Sequence, residues 1–366
     1  MQLHFKLLNK SLILILLISL LFSCTGCNVS FEPDSNLSHS FEVHFIDVGQ
    51  ADAALIICDG KKMLIDGGNV EDSNLIYSVL NKKGITYLDY VICTHPHEDH
   101  VGGLAGALEA AKAGRVFCPM DSFDSKAFDN FINYVHRQRL ELEFPPVGEN
   151  IFLGSASVHF LGPQQEYEDT NEMSIVVKIV YGETSFLFTG DAGRESELDI
   201  LASGQDLKSM VLKVGHHGSN TSTSYAFLRE VMPKYAIISV GKNNDYGHPH
   251  EEVMSRLRDA EVEVYRTDLH GDIICTSDGK NVSFKTAKNN PPLTGSALIK
   301  DRGQKDANTL NVSDYYIGNV NSKVFHLPTC SSLPIAKNRI YFKRRQEAII
   351  QGYKPCSKCM TADREQ

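Results

Sequence analysis

Tryptophan is absent from this 366-residue chain, so any stacking surface must come from tyrosine, phenylalanine or histidine. Positive charge is in short supply. Lys and Arg number 36 against 45 Asp and Glu, and the formal net charge is -9, so the whole chain does not advertise a polyanion partner. No apolar run reaches the roughly 18–20 residues that a membrane helix needs. Composition is otherwise ordinary, with 42% hydrophobic and 22% charged residues, which excludes a disordered chain and allows a sizeable core. The length alone suggests two or three domains.

The longest apolar run, Ser11 to Phe22, follows Lys6 and Lys10 and reads as the h-region of an export signal. Leu21-Phe22-Ser23-Cys24 resembles a bacterial lipobox, which makes Cys24 the lipidation site of an exported, membrane-anchored lipoprotein. Cys27 is a second candidate, and an uncleaved anchor is the plainer alternative. Residues 1–24 are then signal peptide and residues 25–40 a polar tether.

Three histidines and an aspartate crowd into His95-Pro96-His97-Glu98-Asp99-His100. The apolar run Leu88 to Cys93 leads in as a buried strand, and Gly102-Gly103 leads out through a tight turn into a helix over Leu104 to Ala113. The polar cluster therefore sits at the carboxyl end of a strand, where open α/β sheets carry their chemistry. His95 and His97 form one pair, Asp99 and His100 another. That suits two adjacent divalent metals, since a catalytic site takes few protein ligands per ion.

This loop resembles the signature of the metallo-β-lactamase fold. Its neighbours resemble the hydrolase domain of ComEC-type competence proteins: Phe45-Ile46-Asp47-Val48-Gly49-Gln50-Ala51-Asp52-Ala53, Leu64-Ile65-Asp66-Gly67-Gly68, Phe188-Thr189-Gly190-Asp191-Ala192, Lys213-Val214-Gly215-His216-His217-Gly218-Ser219 and Tyr246-Gly247-His248-Pro249-His250. The resemblance covers about residues 41–287 and implies an α/β fold, the αββα sandwich. It implies that Asp66 helps order the metal site and that Asp191 bridges both metals. One of His216 and His217, preferably His217, joins Asp99 and His100 on the second metal. His248 and His250 line the active site. A turn aspartate is the alternative for Asp66, and helix capping the alternative for His248 and His250.

Two positions depart from the resemblance. Where many relatives place a third histidine for the first metal, this chain has Asn171, as ComEC-like chains do. That leaves His95, His97 and Asp191 there, a set that tolerates manganese as well as zinc. Ala51 stands where ComEC-like chains usually have glycine. Asp99, His248 and Asn171 are the candidate catalytic residues. Cys58, Cys93, Cys118 and Cys275 lie in apolar runs and read as buried small hydrophobes, although an exported protein leaves disulfides open.

Residues 288–312 read as a linker around Pro291-Pro292. Beyond it, residues 313–362 carry His326, Cys330, Cys356 and Cys359, a set suited to one structural zinc. The spacing resembles the zinc module of the Ada repair protein, whose methyl-transfer chemistry is not carried over because His326 replaces a thiolate. Lys323, Lys337, Arg339, Lys343, Arg344, Arg345, Lys354 and Lys358 stand there against only Asp314 and Glu347. Such a local basic footprint suits phosphates.

Three functions compete at this stage. The preferred one is an exported phosphodiesterase or nuclease that cuts DNA with metal-activated water. The second is another ester or amide hydrolase on the same fold, such as a phosphorylcholine esterase or a lactamase. The third is a non-catalytic surface protein that binds DNA or another polyanion.

Overall fold

In β1 (Phe41–Phe45) four of the five side chains are buried, and the strand lies between β2 (Ala54–Cys58) and the late strand β14 (Ile273–Ser277). The structure is a computed structural model that describes residues 40–295 and 316–359, with breaks at 328–329, 331, 343–347 and 349–350. The export segment with Cys24, the linker from 296 on, Asp314, Lys343, Arg344, Arg345 and Glu347 lie outside the described residues. The chain divides into two units, residues 1–298 and 299–366. Among the described residues, no helix is long and apolar enough to cross a membrane.

The first sheet has eight strands in the order β15-β14-β1-β2-β3-β4-β5-β6. Asp59-Gly60 joins β2 to β3 (Lys61–Ile65) with both φ angles positive, at 49° and 79°, as a tight hairpin requires. Helix α1 (Ser73–Lys82) then carries the chain to β4 (Tyr87–Ile92), which runs parallel to β3. The metal loop follows, with α2 (Glu98–Val101) and α3 (Leu104–Ala110). The helix expected to reach Ala113 stops early. Ala111 turns extended, and Lys112–Phe117 becomes β5, parallel to β4. An alanine-rich run hides this break, because no glycine cap marks it. Helix α4 (Lys126–Arg137), capped by the Ser125 hydroxyl, and β6 (Leu142–Glu143) complete the half.

The second sheet has seven strands in the order β13-β12-β11-β10-β9-β8-β7. Its strands β7 (Asn150–Leu153), β8 (Ala156–Gly162), β9 (Val176–Tyr181) and β10 (Thr184–Phe188) form an antiparallel meander. Then α5 (Arg194–Ala202), β11 (Val211–Lys213), α6 (Tyr225–Val231), β12 (Tyr235–Ile238), α7 (Glu251–Asp259) and β13 (Glu263–Arg266) add parallel strands. After α8 (Thr267–His270), β14 and β15 (Val282–Thr286) return to the first sheet.

The sheets pack face to face. Phe41 meets Phe186 at 4.8 Å between ring centroids, and Phe117 meets Phe160 at 5.0 Å. Each such fully buried ring contributes about 1.5–3 kcal/mol of transfer free energy. Outside one sheet lie Leu104, Leu108, Phe128 and Phe131, and outside the other Phe227, Leu228, Val253 and Leu257. The result is the four-layer αββα sandwich. Cys58, Cys93, Cys118 and Cys275 are buried and free.

The second unit holds a four-stranded sheet, β18-β16-β17-β19, built from β16 (Tyr316–Asn319), β17 (Val324–His326), β18 (Arg339–Phe342) and β19 (Lys354–Pro355). Its described core is small: Phe325, Phe342, Ala348 and Tyr353. So little apolar burial calls for a staple.

Candidate metal centre

Strands β3, β4, β10, β11 and β12 end on the same edge of the sandwich, and their outgoing loops converge there. Asp66 leaves β3 with φ 56°, a left-handed conformation, and its amide donates to the Ile92 carbonyl. Its side chain takes three hydrogen bonds. Oδ1 accepts from the Thr94 amide at 2.7 Å, while Oδ2 meets the Thr94 hydroxyl at 2.7 Å and His100 Nδ1 at 2.8 Å. Asp66 therefore aims the His100 ring from behind and leaves Nε2 facing the cleft.

Gly102 and Gly103, read from the sequence as a tight turn, are helical at φ −57° and −80°. They are glycines for want of space. A Cβ on Gly103 would strike the Gly67 carbonyl, and one on Gly102 the backbone of Asn69 and Val70. This close approach brings the β3 loop against the metal loop. Ala51 is fully buried, and the left-handed turn beside it falls on Gly49 at φ 67°.

The second sheet supplies the opposite wall. His216 and His217 both adopt left-handed backbone, at φ 50° and 53°. Such conformations cost about 1–3 kcal/mol each and concentrate at functional sites. The His216 amide donates to the Gly190 carbonyl at 3.1 Å, tying this loop to the one carrying Asp191. A Cβ on Gly218 would meet Pro249.

One compact set emerges: Asp99, His100, Asp191 and His217, whose ligand atoms all lie within 4.8 Å of one another. His217 Nε2 is 3.2 Å from Asp99 Oδ2, and its Nδ1 faces the Ser239 carbonyl at 3.1 Å, which leaves Nε2 for the cleft. Beside this set, His95 Nε2 and His97 Nδ1 sit 3.1 Å apart, a separation that suits two nitrogens about 2.0–2.1 Å from one cation. His95 Nε2 lies 3.8 Å, and His216 Nε2 3.5 Å, from Asp191 Oδ2. Asp191 thus faces both groups, and of the adjacent histidines it is His217 that belongs to the compact set. Asp66 also forms a group with Asp52 and His100 that could hold a metal.

The donors fit a cation on a direct observation. His100 Nε2 and Asp191 Oδ1 are buried, lie 3.3 Å apart and have no hydrogen-bond partner. Electrostatics point the same way. Burial opposes charge on His100 and His217, yet the carboxylates outweigh it, Asp191 foremost in each case. His100 is pushed well above the usual imidazole value and His217 to about 10. Burial likewise opposes charge on Asp99, but His100 and His217 hold it down at about 2. Buried His95 is lowered, by desolvation first and then by His100.

A sign follows for metal binding. Protons on His100 and His217 must leave before their Nε2 atoms can ligate, so affinity should rise with pH up to about 10. Calorimetric titration of Mn(II) into metal-free protein at pH 7, in buffers of different ionisation enthalpy, should show release of about two protons. Uptake, or no release, would contradict this.

Asn171 does not reach the His95 group by any hydrogen bond, although its Oδ1 is buried and unpartnered. Its carbonyl accepts from the Ser174 amide instead. Ser174 is the contact the sequence reading missed: its hydroxyl lies 3.4 Å from His95 Nδ1 and accepts from the Asp191 amide at 3.0 Å. Glu172, also missed, accepts from the Gly193 and Ser196 amides and anchors α5 just past Asp191. Lys213 and Asp52 form a buried ion pair of 2.7 Å, with Asp52 Oδ1 3.3 Å from His217 Nδ1. Only a polar residue inside an apolar strand, Lys213, could have signalled it. His248 Nδ1 lies 3.3 Å from Gln50 Nε2, and burial with the surrounding histidines lowers the ring to about 4. His250 is the N-cap of α7, and its Nδ1 accepts from the Asn220 amide at 3.0 Å.

In the second unit, His326, Cys330, Cys356 and Cys359 come together. Cys330 and Cys356 sulfurs are 4.0 Å apart, close to the ~3.8 Å expected of two thiolates on a tetrahedral zinc and far from a disulfide. Amides of Leu327 and Ser332 donate to Cys359 and Cys330.

Comparison with known proteins agrees with this geometry. The family described as the metallo-beta-lactamase superfamily matches residues 46–242, and the metal binding domain of Ada matches residues 304–361. Over 256 residues the chain is 31% identical to ComE operon protein 3 of Bacillus subtilis (strain 168), covering 65% of this chain and 33% of that protein. Over 246 residues it is 32% identical to Competence protein ComA of Neisseria gonorrhoeae, covering 66% of this chain and 33% of that protein. The chain thus spans about a third of the length of these relatives. The metallo-beta-lactamase fold protein YhfI from Bacillus subtilis superposes with a TM-score of 0.44 at 13% identity, over 67% of this chain and 100% of that one.

Proposed function

Because the chain belongs to the metallo-β-lactamase superfamily and is a metal-dependent hydrolase related to competence proteins, we propose that it is an exported phosphodiesterase, a nuclease whose substrate is DNA. The observation that carries the reading is the pair of ligand groups meeting at Asp191, with its buried, unpartnered atoms. The names of the competence-protein relatives support DNA as the substrate.

His95, His97 and Asp191 would hold one divalent cation, and Asp99, His100, His217 and Asp191 the other; zinc and manganese both suit the donors. Such a pair supplies a water of lowered pKa and positive charge beside a transferring phosphoryl group. The protein's own part is orientation. Asp66 and Thr94 fix His100, Ser239 fixes His217, and Ser174 supports both His95 and Asp191. At neutral pH His248 is an uncharged ring on the rim.

The deciding assay offers Mn- or Zn-loaded protein single-stranded DNA, bis(p-nitrophenyl) phosphate and nitrocefin. Cleavage of both phosphodiesters is expected. Turnover of nitrocefin alone would move the protein to lactam chemistry, and turnover of none would leave a binding protein.

The same reading gives the C-terminal module a zinc and a grip on the DNA backbone. Exposed Lys323, Lys337, Lys354 and Lys358 support it. Of the aromatic side chains, Phe325, Phe342 and Tyr353 are core, and Tyr341 is exposed. Deleting residues 313–366 should weaken DNA binding and flatten its salt dependence by about one unit of log–log slope per lost phosphate contact. Turnover of the small phosphodiester should survive. Unchanged affinity at low salt would remove the gripping role. Export is proposed with a lipid on Cys24, and mass spectrometry of the mature N-terminus should find a lipidated Cys24; cleavage elsewhere, or none, refutes it.

A further inference from the structure

We propose that Tyr246, backed by His248, is a stacking platform for the nucleobase that flanks the scissile phosphate. The proposal rests on the nuclease reading and adds a binding subsite to it.

Three rings lead out of the metal centre. His217 lies in the compact ligand set. The His248 ring follows at 6.4 Å and 24° from His217, and the Tyr246 ring at 5.6 Å and 25° from His248. The ladder is near-parallel at each step, and it ends in solvent. Tyr246 is 69% exposed, the highest value among the large hydrophobic side chains of the described residues. One face of its ring is stacked on His248, and most of the side chain is in solvent. A large apolar ring in water at the mouth of a polar cleft asks for a partner.

The ladder stands on a built turn. The Asn244 side chain donates to the carbonyls of Gly241 and His248 and accepts from the His248 amide. Gln50, from the loop between β1 and β2, accepts from the Gly241 amide through Oε1 and contacts His248 through Nε2. His250 closes the far side, its amide bonded to the Gly218 carbonyl. The rim aromatic is therefore presented at a fixed place relative to His216 and His217, so less entropy is lost on binding.

The ligand that continues such a ladder is a flat unsaturated ring. In a phosphodiester polymer that ring is the base next to the phosphate held at the metals. Every base has a π-face, so this contact tolerates sequence while favouring single strands, whose bases can turn outward.

The test uses the full Mn-loaded chain and a single-stranded tetranucleotide. A matched tetranucleotide carries an abasic tetrahydrofuran next to the cut phosphate. Tyr246→Ala should raise KM for the normal substrate about tenfold and leave kcat within about twofold, while Tyr246→Phe stays near wild type. The abasic substrate should show the raised KM with the wild type and no further change with Tyr246→Ala. An unchanged KM on the normal substrate overturns the platform, and so does an equal loss on both substrates. Failure of Tyr246→Phe to restore KM points to the hydroxyl and overturns it as well. A wild type that turns over bis(p-nitrophenyl) phosphate but neither cuts nor binds the tetranucleotide defeats the nuclease reading and the platform together. Melting temperatures of both variants within about 2 °C of wild type confirm that a surface residue was changed.

Discussion

Asp99→Ala is expected to take hydrolysis of bis(p-nitrophenyl) phosphate to background while the domain stays folded. Asp99 lies on the two-sided wall between His100 and His217, with its nearest oxygen 3.9 Å from His100 Nε2 and 3.2 Å from His217 Nε2. Its side chain is 32% exposed, where those of His100, His217 and Asp191 are all but inaccessible. Removing it takes one oxygen donor from the compact set and leaves two histidines whose protons it helps hold. The effect should fall on metal content and turnover, with the melting temperature of the metal-free protein lowered by only a few degrees. His97→Ala, on the other pair, should do the same. Metal analysis after gel filtration, read beside activity, checks both. Full activity in either variant would end the metallohydrolase reading.

The other large effect belongs to a pair that lies behind the ligands. Lys213 Nζ and Asp52 Oδ2 meet at 2.7 Å with both side chains nearly inaccessible, at 5% and 7%. Burial disfavours the Asp52 anion, but Lys213 overrides it and holds the carboxyl far below its usual range. Lys213→Met leaves that anion buried without its cation. Breaking a buried pair costs about 3–5 kcal/mol. For a domain of this size that is a fall of roughly 6–20 °C in melting temperature. The double variant with Asp52→Asn should recover much of it, since no charge is then stranded. It should not recover the metal site. His217 would lack the carboxylate 3.3 Å from its Nδ1, and such outer partners are worth about 10–100-fold in metal affinity. Recovery of stability and metal affinity together would show that the pair serves packing alone.

Much of the site could be read in the chain because its chemistry is local. His95, His97, Asp99 and His100 share one loop, and Asp191, His216 and His217 each follow a short apolar run that reads as a strand. What stayed hidden depends on contacts between distant segments. Asp52 and Lys213 are 161 residues apart, and nothing in either neighbourhood names the other. Ser174 lies three residues past Asn171, and only the fold brings its hydroxyl to His95 and the Asp191 amide. Gly102 and Gly103 were visible as glycines, but the reason for them is the Gly67–Asn69 backbone pressing on the far side. The start of β5 is hidden because an alanine run suits a helix until sheet pairing overrules it, with the Cys93 amide donating to the Phe117 carbonyl.

The return of β14 to the first sheet governs when the molecule can be finished. Val43 pairs with Ile56 nearby but also with Cys275, near the far end of the domain. While the chain emerges from a ribosome or a translocation pore, β1 has one neighbour and an open edge. That edge is a template for any passing strand until residues 273–277 arrive. Closing so long a loop is slow, and it delays burial of the inner aromatic layer of the first sheet. On the proposed export route the chain meets this interval outside the cytoplasm, where the cytoplasmic chaperones do not follow.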